Sequence, residues 1–72
     1  MTTEEISIIR RYYAETVKQL DEAEKAYNAD KMSVKKRKVY QYIFAQAVAV
    51  SDICDELEIE LYDEDLNLIE EA

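Results

Sequence analysis

Seventy-two residues with a formal net charge of -8 and no glycine, proline or histidine leave room for a single domain. Without glycine or proline the backbone has few low-energy ways to turn, so a few long helices are expected. Without histidine the chain lacks the side chain most used for catalysis near neutral pH and for zinc sites, and a lone cysteine, Cys54, excludes an intrachain disulfide and fits a reducing compartment.

The chain starts Met-Thr-Thr-Glu-Glu, which has neither the basic start nor the apolar stretch of a signal peptide. No apolar run approaches the roughly 20 residues of a membrane span, so a cytoplasmic protein, free or made inside a host cell, is expected. Thr2 and Glu5 have capping-box spacing, and Ile6, Ile9, Tyr13, Val17, Leu20, Ala23 and Tyr27 follow in steps of three and four. This pattern predicts a first helix over about 3–28. Arg11, Glu15, Lys18, Glu22 and Lys25 take the opposite face, and Ile8, Tyr12 and Ala26 form a shoulder beside the stripe.

A turn is expected over 28–33. Asn28 is the nearby residue best suited to a left-handed C-terminal cap, and Asp30 or Ser33 can cap the next helix.

A second helix over about 33–60 carries Val39, Ile43, Ala47, Val50, Cys54, Leu57 and Leu61 on its seam. Between Val39 and Cys54, 12 of 16 residues are apolar, more than one partner helix can cover. Tyr40, Phe44 and Val48 form a second face, with the small Ala45, Ala47 and Ala49 nearby. They predict self-association, most simply a homodimer forming a four-helix bundle. Ile9, Tyr13, Leu20, Ile43, Val50 and Leu57 are the expected core.

Charge is segregated along the chain. Residues 31–51 hold five bases and no acid, and residues 52–72 hold ten acids and no base. An antiparallel hairpin would set Asp21, Glu22 and Glu24 beside Lys35-Lys36-Arg37-Lys38, and Arg10 and Arg11 beside Asp52 and Asp55. That match would offset the reversed helix dipole of the second helix.

Beyond Leu57 two patterns compete. Leu57, Ile59 and Leu61 alternate like a strand with Leu66 and Leu68 as its return, yet the helical seam also runs on to Leu61. With no glycine for a tight hairpin at Asp63-Glu64-Asp65, the expectation is helix to about 60 and an acidic tail over 61–72.

Candidate chemistry is sparse. Asp63, Asp65 and Asn67 resemble the start of a calcium loop, but Leu68 stands where the glycine belongs and the twelfth ligand position lies beyond Ala72. Cys54 falls on the core seam with no histidine to activate it. No catalytic residue, metal or cofactor is therefore expected. The Lys35-Lys36-Arg37-Lys38 block points in four directions on a helix and lies among acids, so direct nucleic-acid binding is disfavoured. Tyr12, Tyr40, Tyr42 and Tyr62 border the seam, where a ring with a wet hydroxyl suits a protein interface.

Asp52, Glu56, Glu60 and Glu64 are spaced i, i+4, so a continuous helix would present them as a stripe of negative charge comparable to a nucleic-acid backbone. With Asp55 and Asp63 they form the expected contact surface for a basic protein partner. By size and charge the chain resembles small accessory proteins of phages and mobile elements, some of which inhibit host defence enzymes. The expectation is a single all-α domain over 1–72, an interaction module of inhibitor or regulator type. An assembly module acting through helical oligomerisation is the alternative.

Overall fold

The computed structural model describes residues 1–69. Two antiparallel helices, α1 (Thr3–Ala29) and α2 (Val34–Glu56), pack along their lengths, and the segment after α2 folds back over their open end. The all-α hairpin expected from the three-four spacing is present, and the last three residues of the expected tail, 70–72, lie outside the described residues. No described helix is long and apolar enough to cross a membrane.

Local chemistry explains the helix starts. Thr2 accepts a hydrogen bond from the Glu5 amide at 3.1 Å, and Glu5 accepts one from the Thr2 amide at 3.0 Å, which completes the capping box. Those bonds to its charged form hold the Glu5 carboxyl below its ordinary range. Ser33 caps α2 by accepting from the Lys36 amide at 3.2 Å. Asn28 does not form the expected left-handed cap. It remains within α1, and Asp30 closes the helix in an extended-side conformation, its amide donating to the Tyr27 carbonyl at 3.0 Å. Asp30 also accepts an ion pair from Lys36 at 3.5 Å, so the connection is tied from both sides without a positive φ. Asp21, Glu22 and Glu24 make no ion pair with the basic block among the described residues, where Asp30 pairs with Lys36 instead.

The end of α2 departs from expectation. The helix stops at Glu56, not near 60. Leu57 is the cap, Glu58 takes a left-handed φ of 58°, and the amides of Glu58 and Ile59 bond back to the carbonyls of Asp55 and Cys54 at 3.2 and 2.8 Å. This is a Schellman motif with glutamate at the position usually held by glycine, closed by apolar contact between Ile59 and Cys54. The physical reason is burial rather than length. Read antiparallel from the turn, Glu56 is level with about Ser7, so one more turn of helix would still lie against Thr3–Ile6, but the turn-back covers two apolar side chains at once. Turning back instead buries Ile59 and Leu61, each 6 % exposed, and leaves Leu57 at 50 %, which reverses the expected burial of Leu57. Both side chains are covered because the alternating pattern, not the helical one, governs this segment.

The return itself is a three-residue loop. Asp63 and Asn67 pair through the Asp63 amide and Asn67 carbonyl at 2.8 Å, the Leu66 amide bonds to the Asp63 carbonyl at 3.0 Å, and Leu66 adopts φ 63°. Such a loop ordinarily takes glycine at that left-handed position. Here the Asp63 carboxylate compensates by accepting the amides of Asp65 and Asn67 at 2.9 and 3.0 Å. An isolated antiparallel bridge joins Tyr62 to Leu68, and the Ile69 amide reaches the Leu61 carbonyl at 2.9 Å.

The core therefore sits toward the open end: Tyr13, Ala47, Cys54, Ile59 and Leu61, backed by Ile6, Ile9, Val17, Leu20, Val50 and Leu68. Of the expected core, Tyr13 is buried, and Ile9, Leu20, Ile43 and Val50 are half-buried. Toward the turn, the rings of Tyr27 and Tyr40 stack at 5.9 Å, and Phe44 follows at 6.2 Å from Tyr40.

Candidate functional site

The turn-back that ends α2 decides where the acidic side chains go. With Ile59 and Leu61 inward, the intervening Glu60 faces outward, as alternation in extended chain requires, and the left-handed turn at Glu58 leaves that side chain exposed as well. Together with Asp55 from the last turn of α2 and Asp63 and Glu64 from the loop, they line one open concavity of about 470 Å³. Ser51, Ile59, Leu61 and Tyr62 complete its wall.

The expected contact surface is thus rearranged. A continuous stripe of Asp52, Glu56, Glu60 and Glu64 does not exist, because the helix that would align them ends at Glu56. Asp55, Glu60, Asp63 and Glu64 are gathered around the concavity. Asp52 instead borders a neighbouring groove of about 220 Å³ beside Tyr13, Leu20, Phe44 and Val48. Glu56, the last helical residue, is exposed and does not line the concavity. Sequence reasoning missed Glu58, because its place follows from the left-handed turn after the Leu57 cap, which no local pattern of the sequence marks.

Arg10 approaches this end from α1, its Nε donating to the Glu60 carbonyl at 2.8 Å. Among the described residues no ion pair engages Asp55, Glu58, Glu60 or Glu64. Those carboxylates face solvent, and an open acidic concavity of this kind can receive lysine or arginine side chains through charge-assisted hydrogen bonds.

Beneath the concavity lie two titratable groups with other duties. Burial raises the Cys54 thiol above its ordinary value, and Asp55 adds to the effect while Arg10 opposes it. Burial, then the hydrogen bond to Tyr62, raises the Tyr13 hydroxyl, and the two phenolic oxygens lie 2.6 Å apart with their rings edge to face. Both groups are held in their neutral forms, which suits packing.

Of the expected self-association residues, Tyr40 is stacked within the hairpin on Tyr27, whereas Phe44 and Val48 are exposed. The Lys35-Lys36-Arg37-Lys38 block begins α2. Lys35 and Lys36 border a hollow of about 240 Å³ with Ala23, Ala26, Ser33 and Val39, and Lys31 lies 5.8 Å over the Tyr27 ring. Compared with known proteins, this chain matches no family model, no curated protein and no solved structure.

Proposed function

We propose that the chain is a non-catalytic protein-protein interaction module, an acidic inhibitor or regulator that sets its open end against the basic, nucleic-acid-binding surface of a partner enzyme. On this reading it acts in the cytoplasm, as a phage or mobile-element accessory protein would in its host. The observation that carries it is the convergence of Asp55, Glu58, Glu60 and Glu64 on one concavity with no internal cation paired to them among the described residues. Like charges so gathered repel one another, and a cationic partner relieves that repulsion while desolvating the site.

The test uses the immobilised chain and a lysate of its source cell. A nucleic-acid enzyme should be retained, displaced by duplex DNA, and released as salt rises from about 0.05 to about 0.5 M. Changing Asp55 to Asn and Glu58, Glu60 and Glu64 to Gln should abolish retention while helicity is kept. Equal retention by this variant would remove the inhibitor reading.

A second reading, an assembly module built on a homodimer, is favoured by a separate observation. Phe44, Val48, Tyr42, Ile53 and other large apolar side chains of α2 lie exposed, more than one short chain buries for itself.

A further inference from the structure

We propose that a second copy of this chain covers the side of the hairpin opposite the tail, about a two-fold axis that runs each helix antiparallel to its own copy. The proposal rests on the assembly reading and gives it a face and an orientation.

The tail occupies one side only. Leu68 lies beside Ala14 and Val17 of α1, and Phe44 and Val48 of α2 continue that same side toward the turn. At 100° per residue, the other side carries Ile8 and Tyr12 from α1 and Val39, Tyr42, Ile53 and Leu57 from α2 and its cap. All six are between 46 and 66 % exposed. Between them lie the neutral Gln19, Gln46 and Ala49. A two-helix face that is apolar at both ends and uncharged at its middle has the composition of half a four-helix bundle.

Two features select a second copy as the occupant. The first is shape. At the turn end this side is hollow, about 240 Å³ bounded by Ala23, Ala26 and Val39 with Ser33, Lys35 and Lys36, whereas at the open end Ile8 and Leu57 stand out from it. The rise of 1.5 Å per residue puts the two ends at equal distances from the level of Thr16 and Ala47. An axis lying in the interface at that level brings Ile8 over the partner's Ala23 and Ala26, Ile53 over the partner's Tyr42, and Leu57 over the partner's Val39. Ile8 meets the hollow, and the exposed Ile53 and Leu57 meet the exposed Tyr42 and Val39, apolar on apolar.

The second feature is charge. The turn end is basic through Lys35 and Lys38, and the open end is acidic through Glu56 and the residues that follow. The antiparallel axis sets Lys38 beside the partner's Glu56, while an axis along the helices would stack base on base and acid on acid. The acidic concavity, on the tail side, stays uncovered, so the dimer would display one at each end.

Sedimentation of the native chain should give twice the 8.5 kDa chain mass. Changing Ile8 and Ile53 together to Glu should give the monomer mass at the same concentrations, with helicity by circular dichroism retained because both side chains are exposed. Changing Phe44 and Val48 together to Glu should leave the dimer intact. Should the Ile8 and Ile53 variant lose helicity, oxidative cross-linking decides: Ala49→Cys lies near the axis and should yield a covalent dimer, and Val48→Cys should not. A native chain that sediments as a monomer overturns both the assembly reading and this face. A native dimer that dissociates in the Phe44 and Val48 variant, or that cross-links through position 48 and not 49, overturns this face alone.

Discussion

Cys54 is the most deeply buried side chain of the described residues, and its thiol is held neutral mainly by that burial. A group whose proton is held more tightly in the fold than in the unfolded chain adds stability that is complete below its ordinary pKa, near 9 for this thiol, and is lost as pH rises through the folded value. Tyr13 is raised in the same sense from its ordinary value of 10. Urea midpoints should therefore fall above pH 9, and the Cys54→Ala variant should lose less between neutral pH and the tyrosine range. A midpoint that rises with alkalinity would contradict the burial account. The same burial predicts slow reaction of the native thiol with a disulfide reagent, accelerating to the free-thiol rate in urea. Tyr13 and Tyr62 provide a second residue-level check. Tyr62→Phe leaves a buried hydroxyl without its partner and should cost about 1 to 2 kcal/mol, while the double Phe variant should cost less than the sum of the single ones.

At the scale of elements, two positions carry left-handed backbone on side chains that resist it. Glu58 ends α2 and Leu66, 82 % exposed, closes the tail loop, each doing what glycine does with less strain. Leu66→Gly and Glu58→Gly should each raise stability by about 0.5 to 1 kcal/mol in denaturant titration, since the relief exceeds the entropy glycine loses. Alanine at the same positions should bring no such gain. The competition between helix and turn-back can be read from the apolar side chains. Ile59→Ala should cost about 2 to 4 kcal/mol and Leu57→Ala under about 1 kcal/mol, an order that continuous helix would invert.

For the whole molecule, the extents of 44 × 21 × 18 Å describe a rod with a basic turn end and an acidic open end. A chain of this size with so much apolar surface outside its core is expected to be of marginal stability by itself, and in the proposed dimer assembly and folding would be linked. Thermal unfolding of the native chain should move to higher temperature as protein concentration rises, and the Ile8 and Ile53 variant should show no such dependence. A concentration-independent midpoint in the native chain would leave the hairpin to stand as a monomer.

The sequence by itself determined the hairpin, because its signals are local. Three-four spacing, the Thr2 and Glu5 pair and the Ser33 cap act within one or two turns of helix, and each is found where the residues place it. It also determined that the acids would collect at the open end, since their order along the chain and the antiparallel turn suffice. What only the tertiary structure decided is the fate of residues 57–69. Leu57, Ile59 and Leu61 satisfy a helical and an alternating pattern at once, and nothing in their order says which face will find cover. That depended on the left-handed turn at Glu58, on the space above Tyr13 and Cys54 that Ile59 and Leu61 fill, and on an aspartate carboxylate standing in for the glycine of a tight loop. Because Glu58 and Glu60 follow from that choice, the concavity they line was fixed by packing between segments about 50 residues apart, as the Arg10 bond to the Glu60 carbonyl records.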